Sequence, residues 1–190
     1  MVADMTAPGE PPASAVEMAQ AWVDQVVDHG NLEKGWFYCH PALRTAWAQA
    51  WFVNTGRDGE SDAEALVEAL VERGAAADLW PGLATWLLEQ LRSTGISAET
   101  WGASTRTRPV PPDMEAVWFM DTGGQAVLVD APSAIRPFPL LMHFDADRGA
   151  WRLISFGGME PPVPGWPPLF PGPLLGADGL VRWDSHDPRR

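Results

Sequence analysis

Residues 138–156 have the sequence FPLLMHFDADRGAWRLISF, in which two apolar runs flank a polar turn at 147–148. Short runs rich in large apolar side chains on either side of such a turn are typical of two antiparallel strands. A two-residue turn pairs His143 with Arg152 and separates the side chains into two faces. This stretch therefore predicts a β-hairpin, and the strands expected before it decide the fold class.

The two faces of the hairpin differ in polarity. One face is expected to consist of Leu140, Met142, Phe144, Trp151 and Leu153. The opposite face is expected to consist of Leu141, His143, Asp145, Arg152 and Ile154. Because the first set is wholly apolar, we expect it to be buried, and we expect His143 to lie beside Arg152 on a polar outer face.

Other strands are predicted before this hairpin. Residues 114–120 and 126–129 flank Gly123-Gly124, a pair of glycines that favours a two-residue hairpin turn. Residues 98–107 are expected to form an earlier strand. The second half of the chain is thus predicted to be an antiparallel sheet.

The first half of the chain has helical periodicity instead. Ser14 and Glu17 are spaced as a capping box, and Ser61 and Glu64 repeat that spacing. Asp78 is expected to cap a further helix. Four helical segments are therefore predicted, at about residues 14–30, 41–56, 61–74 and 78–95, with a short helix or turn over 32–39.

The second of these helices is predicted to begin at His40-Pro41, since proline suits the first helical position. Its apolar face is expected to consist of Leu43, Ala46, Trp47, Ala50 and Trp51. Arg44 falls at the edge of that face, so we expect its guanidinium group to reach solvent.

Helices followed by antiparallel strands predict an α+β domain over residues 14–158. Residues 1–13 are expected to be a disordered lead. Residues 159–190 are dense in proline and glycine, which excludes a central strand or helix, yet large apolar side chains are interleaved. We therefore expect this proline-rich tail to pack on the domain or on a partner.

Charge and cysteine content exclude several classes of function. The formal net charge is −12, with 13 Lys and Arg against 25 Asp and Glu, so nucleic acid and anionic membrane surfaces are not expected partners. Cys39 is the single cysteine, which rules out an intramolecular disulfide and the usual cysteine zinc sites. The sequence has no glycine-rich phosphate loop, serine-centred elbow or paired-carboxylate motif, so neither a cofactor nor a metal is predicted.

Location and source are predicted from composition. No apolar run approaches the roughly 20 residues that span a bilayer, and residues 1–12 do not have the pattern of a signal peptide. We therefore expect a cytoplasmic protein. Abundant Ala, Gly, Pro and Trp, with a single tyrosine, indicate a GC-rich bacterial genome.

The chain resembles the nuclear transport factor 2-like superfamily, which includes the SnoaL-like polyketide cyclases. The resemblance is carried by a tryptophan-containing first helix, the turn at 30–34, the stretch at 40–44 and the final strand at 151–156. It implies a cone, in which N-terminal helices pack in the concave face of a curved antiparallel sheet and leave a pocket between them. Members of the superfamily include isomerases, cyclases, hydrolases and non-catalytic binding modules, so the fold leaves function open.

Two residues are candidates for catalysis. His143 has Asp145 nearby and could act as a general base, whereas its predicted place on the outer face favours a structural role. Asp121 ends a strand, where aspartate commonly serves the turn. His40 is expected to mark a helix boundary, with a catalytic or ligand role as the alternative.

Eleven tryptophans allow two interpretations. Four fall on helical apolar faces, namely Trp22, Trp47, Trp51 and Trp86, and most of the eleven are expected to be core residues. The alternative is an aromatic pocket for a flat apolar ligand. The candidate ligand-binding residues of that pocket are Trp22, Tyr38, Trp118, Met142, Phe144 and Trp151.

Three functions are compatible with this sequence. The first is a non-catalytic module that binds a small molecule or another protein. The second is an isomerase, cyclase or hydrolase that acts on an apolar small molecule by general acid–base chemistry. The third, compatible with both, is a subunit that forms a homodimer through the outer face of the sheet.

Overall fold

The computed structural model describes residues 13–105, 110–121 and 137–166. Helices occupy the N-terminal half and antiparallel strands follow, so the predicted α+β class is confirmed. The helices are α1 (Ala15–Trp22), α2 (Leu32–Trp36), α3 (Pro41–Asn54), α4 (Ala63–Arg73) and α5 (Trp80–Ser93). The strands are β1 (Trp101–Thr105), β2 (Met114–Asp121), β3 (Phe138–Asp145) and β4 (Ala150–Phe156).

Helix α1 begins with the predicted capping box. The backbone N–H of Ser14 donates to the Glu17 carboxylate at 2.7 Å, and the Glu17 N–H donates to the Ser14 hydroxyl at 3.2 Å. Both groups would otherwise be unsatisfied at a helix start. The helix continues as a π-helical segment, Val23–Asp28, before Gly30 ends it with a φ of 75°.

The predicted caps of α4 and α5 are wrong. Helix α4 has Asp62 at its N-cap with no side-chain hydrogen bond, and in the turn before it Arg57 pairs with Glu60 at 2.8 Å. Helix α5 begins at Trp80, two residues after Asp78, and a proline lies in its first turn. Proline pre-sets the φ of a first turn and removes one N–H that would otherwise lack a partner, which favours a helix start at this point.

Within the described residues the sheet has four strands in the order β1-β2-β3-β4, all antiparallel. The predicted register of the last hairpin is confirmed: His143 lies opposite Arg152, and the pairing holds as far as Met142. The register then shifts by one residue between Leu141 and Met142, as at a β-bulge. The hairpin predicted at Gly123-Gly124, with its second strand at 126–129, lies outside the described residues.

The free edge of β4 is covered by the segment that links α2 to α3. The N–H of Leu153 donates to the Tyr38 carbonyl at 3.0 Å, and the N–H of His40 donates to the Leu153 carbonyl at 2.7 Å. Cys39 thereby forms an isolated parallel bridge with Leu153. These bonds satisfy edge groups that would otherwise be open to pairing, and they fix the start of α3 against the sheet.

Helix α1 contacts all four strands on one face of the sheet. The main core lies there and is dominated by aromatic rings. Trp22 is central to it, with its ring centroid 6.2 Å from that of Trp47 and 5.7 Å from that of Phe156. Trp36 packs against Trp47 at 6.4 Å and edge-on against Trp80 at 5.1 Å. The rings thus form a continuous series from α5 to the sheet.

The opposite face of the sheet is less polar than predicted. It carries a second apolar cluster of Ala116, Leu141 and Ile154, all buried. Arg152 and Ser155 are buried as well. The partly buried side chains that pack on this second apolar cluster are Val110, Met114, Trp118 and Met159.

The chain turns back along the domain after β4. The N–H of Gly157 donates to the Pro139 carbonyl at 2.8 Å, and the side-chain amide of Gln49 donates to the Gly165 carbonyl at 2.9 Å. Trp166 packs against the main core. The rest of the predicted proline-rich tail, 167–190, lies outside the described residues.

Candidate functional site

The predicted general base, His143, lies among titratable side chains from three parts of the chain. Its Nε2 atom is 3.3 Å from a carboxylate oxygen of Asp113, and its ring centroid is 5.1 Å from that of His40. Its Nδ1 atom is buried and has no hydrogen-bond partner among the described residues. Strand pairing brings these groups together, because Met114 of β2 is opposite His143 and Asp113 directly precedes it.

Asp145 was the carboxylate predicted near His143, and the carboxylate that contacts the ring is Asp113. Asp145 is 3.3 Å from the guanidinium of Arg152 and 3.7 Å from that of Arg148. Residues two apart on a strand share a face but are about 6–7 Å apart, whereas a neighbouring strand is under 5 Å away. The cross-strand Asp113 is therefore closer to His143.

His40 has a structural task in this group. Its Nδ1 atom accepts a hydrogen bond from the Ala42 N–H at 3.2 Å, so the ring caps helix α3, as predicted for a helix boundary. Burial lowers the pKa of His40, and the neighbouring His143 and Arg152 lower it further. A neutral ring is required here, since a protonated Nδ1 could not accept the bond.

Arg152 connects the side chains around His143 to the segment between α2 and α3. Its second terminal nitrogen donates to the Phe37 carbonyl at 2.9 Å, while the first faces Asp145. Burial lowers the pKa of Arg152, with a smaller contribution in the same direction from Arg148.

The second catalytic candidate, Asp121, is not brought to this group. Asp121 is the last residue of β2 and lies opposite Trp101. The first residue of β2, Met114, is the one that lies opposite His143. Met114 and Asp121 are seven positions apart, which is about 23 Å along a strand. The two candidates therefore cannot act on one reacting atom.

The six predicted ligand-binding residues are not assembled into one pocket. Trp22 and Met142 are buried in the main core, and the Trp22 indole donates to the Gly35 carbonyl at 3.1 Å. Trp118 packs on the other side of the sheet, with the second apolar cluster. Tyr38 is partly buried against the main core.

Phe144 and Trp151 are the two members of the predicted set that share a surface. Their ring centroids are 5.3 Å apart, and with Pro112 and Asp113 they line an open depression of about 450 Å³. Two aromatic rings and a half-exposed carboxylate make this depression apolar with an acidic rim.

Cys39 is not available as a nucleophile. Its thiol is buried and lies 3.6 Å from the Gly35 carbonyl, and burial raises its pKa to about 12. The reactive thiolate is therefore absent at neutral pH. This agrees with the expectation that Cys39 is a small buried side chain.

Arg44 is more buried than its predicted place at the edge of the apolar face of α3 implied. Only 7% of Arg44 is exposed, and one guanidinium nitrogen donates to the Val71 carbonyl at 2.6 Å. The sequence carried a signal for this, because Arg44 is three and seven residues from Trp47 and Trp51, on the same helical stripe. The cation is held at the C-terminal end of α4, where the helix dipole favours positive charge.

Neither a metal centre nor a membrane span is found in the part of the chain that the structure describes. Within 13–105, 110–121 and 137–166, no cluster of three or more His, Cys, Asp or Glu side chains is placed to hold a metal ion. No helix in those same ranges is long and apolar enough to cross a bilayer.

Comparison with known proteins identifies no relative. The chain matches no protein-family model, no curated protein and no solved structure. The resemblance to the nuclear transport factor 2-like superfamily therefore stays a prediction.

Proposed function

We propose that this protein is a non-catalytic protein-interaction module built on a cone-like α+β fold of the nuclear transport factor 2-like type. The observation that carries the proposal is the occupied interior. Where a cone of this type would hold a ligand, the space between α1 and the sheet is filled by Trp22, Trp47 and Phe156, with ring centroids 5.7 to 6.5 Å apart.

Hydrogen bonding supports a permanent role for these rings in the core. The indole N–H groups of Trp22 and Trp36 donate to the carbonyls of Gly35 and Leu70, at 3.1 and 3.2 Å. Each ring that is both packed and hydrogen-bonded would lose those contacts if it moved aside for a ligand. The interior is thus suited to stability, and recognition is assigned to the surface.

The test is a ligand screen with a built-in positive control. Thermal shift and tryptophan fluorescence are measured against apolar ring compounds, including indole, for the wild-type protein and for Trp22→Ala. A ligand at 100 times its Kd stabilises a protein by about 2.7 kcal/mol. We expect no saturable stabilisation of the wild-type protein and a clear one of Trp22→Ala by indole. Saturable binding of ring compounds to the wild-type interior would overturn the proposal.

A homodimer is one form that the interaction takes in this proposal. The second apolar cluster, with its partly buried Met114 and Trp118, is the apolar part of the outer sheet face. The three residues of the cluster itself are buried, so a dimer would cover the partly exposed side chains that pack on it, a common basis of symmetric dimers. Light scattering is expected to give twice the monomer mass, and Met114→Glu is expected to lower the mass towards that of a monomer. A monomer at all concentrations would refute this form.

An enzyme is the second candidate, and the contact between His143 and Asp113 is the observation that favours it. A carboxylate on one nitrogen of an imidazole orients the ring for proton transfer, and the apolar depression at Phe144 and Trp151 is adjacent. Hydrolysis of aryl esters would be compared between the wild type, His143→Gln and Asp113→Asn. Equal rates for all three, no faster than buffer, would remove this candidate.

A further inference from the structure

Arg44 has more hydrogen-bond donors than the protein uses. A guanidinium group carries five N–H donors, yet within the described residues Arg44 makes one hydrogen bond, from Nη1 to the Val71 carbonyl. Among the described residues, its buried Nε has no hydrogen-bond partner, and Nη2 makes no hydrogen bond and is not fully buried. A buried donor without a hydrogen bond lowers the stability of the folded state. A partner that supplies an acceptor would therefore be stabilised at this group.

The ring of Phe37 lies under this guanidinium. The carbon of the Arg44 guanidinium is 5.1 Å from the ring centroid, within the range of a cation–π interaction. Phe37 is 39% exposed, whereas most large apolar side chains of the described chain are buried. A cationic group and an exposed apolar ring are therefore presented side by side.

Arg57, in the same protein, has both an aromatic contact and a carboxylate partner. Its guanidinium lies over the rings of Trp51 and Phe52, at 5.7 and 5.3 Å, and also pairs with the Glu60 carboxylate at 2.8 Å. Arg44 has the aromatic contact, but no Asp or Glu of the described residues lies within ion-pair distance of it. The missing component is a carboxylate.

The charge around Arg44 supports the same conclusion. The charged side chains that act most strongly on it include Arg152 and Arg148, and burial together with these like charges lowers the pKa of Arg44. The nearby carboxylate of Asp145 is already shared between those two arginines. This surface is therefore locally positive although the whole chain carries a charge of −12.

We propose that Arg44 and Phe37 form a docking site for a partner protein segment that places an acidic side chain beside an apolar one. The carboxylate pairs with the free side of the guanidinium, and the apolar side chain covers the ring of Phe37. This inference rests on the proposed interaction role and names the chemistry of the partner. Repulsion from the distant negative charges is screened within about 8 Å at physiological salt, so the local positive charge decides the contact.

The test is a titration followed by NMR of the ¹⁵N-labelled full chain. The probes are the peptide acetyl-Leu-Asp-Leu-Phe-amide, its Asn counterpart, phenylacetate and phenylacetamide. We expect the acidic peptide to shift the Nε–H resonance of Arg44 and the amides of Phe37 and Val71 saturably. The Asn peptide is expected to bind at least ~10-fold more weakly, since a hydrogen bond to a charged group contributes that much or more.

Variants separate the site from general charge effects. Arg44→Gln is expected to weaken binding of the acidic peptide ~10-fold or more, and Phe37→Ala several-fold; the exposed Phe37 can be truncated without disturbing the core. Arg57→Gln, which removes an arginine already paired, is the matched control and should leave binding unchanged.

Three outcomes would overturn the inference. They are no shift at Arg44 with either carboxylate probe, unchanged binding in both Arg44→Gln and Phe37→Ala, and binding of phenylacetate without binding of the peptide. The last would indicate a small-acid site instead of a protein partner. None of these results depends on whether the interior is filled. The proposed function is tested separately, by the ligand screen.

Discussion

Only part of the role of His40 could be predicted from the residues next to it in the sequence. The His40-Pro41 pair predicted the start of α3, and the structure confirms it with the Nδ1 hydrogen bond to Ala42. The proximity of His40 to His143 was not predicted, because it depends on the edge bonds between Leu153 and residues 38–40. Local patterns specify a cap, whereas a contact between distant residues depends on tertiary pairing.

Acid is predicted to destabilise the protein through His40. Burial lowers the pKa of His40 in the folded state below the ordinary value of 6.5. The unfolded chain then binds more protons, so this contribution is fully present above pH 6.5 and is lost as the pH falls through the folded pKa. Groups that face His40 are His143, Arg152, Asp145 and Arg44.

The measurement is the urea midpoint of the wild type and of His40→Asn between pH 7.5 and pH 5. Asparagine keeps a capping oxygen and does not titrate, so a smaller decrease is expected for the variant. His29 is the control, because its pKa is raised, chiefly by its bond to the Asp24 carbonyl. Its contribution to the pH dependence of stability therefore has the opposite sign to that of His40. Equal pH dependence of the wild type and His40→Asn would disprove the assignment.

At the scale of elements, the sequence predicted the types and order better than the boundaries. Alternation placed the β3–β4 hairpin and its register, since a one-residue slip would expose a whole apolar face. The spacing of Ser61 and Glu64 predicted a cap that does not form, since the helix begins one residue later, with Asp62 at its N-cap. The same spacing at Ser14 and Glu17 does form a capping box, so the motif alone does not fix a helix boundary.

The contact of α2 with α1 depends on Gly35. A Cβ atom there would clash with the Val26 side chain and approach the Trp22 indole nitrogen to 3.1 Å. Gly35→Ala is therefore predicted to lower the free energy of unfolding by about 1–3 kcal/mol, the usual effect of overpacking.

Chemical denaturation of Gly35→Ala is best compared with Gly59→Ala. A Cβ atom at Gly59 meets nothing within 4 Å, so that variant is expected to be close to neutral. A Gly35→Ala protein as stable as the wild type would mean that α2 does not dock closely on α1.

At the scale of the whole molecule, composition and element order indicated one α+β domain but not how its interior is filled. Eleven tryptophans are compatible with a packed core and with an aromatic pocket. The choice depends on helix-to-sheet distances that no local pattern encodes. The predicted pocket residues accordingly divide between two sides of the sheet, with Trp22 on one and Trp118 on the other.

Trp36 tests the cooperativity of this core. It is fully buried, packs against Trp47 and Trp80, and donates to the Leu70 carbonyl. Trp36→Ala is predicted to lower the free energy of unfolding by about 3–5 kcal/mol, as is usual for a buried aromatic ring. Urea denaturation followed by circular dichroism measures this loss, and a loss below about 1 kcal/mol would be inconsistent with a continuous aromatic core.

The central claim is that the chain's own rings fill the space between α1 and the sheet. Crystals pressurised with xenon test it most directly, because dry apolar cavities of sufficient size bind this gas. The account predicts no xenon atom beside Trp22 and Phe156 in the wild type, and one in Trp22→Ala. A well-occupied xenon site at that position in the wild type would contradict the account and restore the internal ligand pocket.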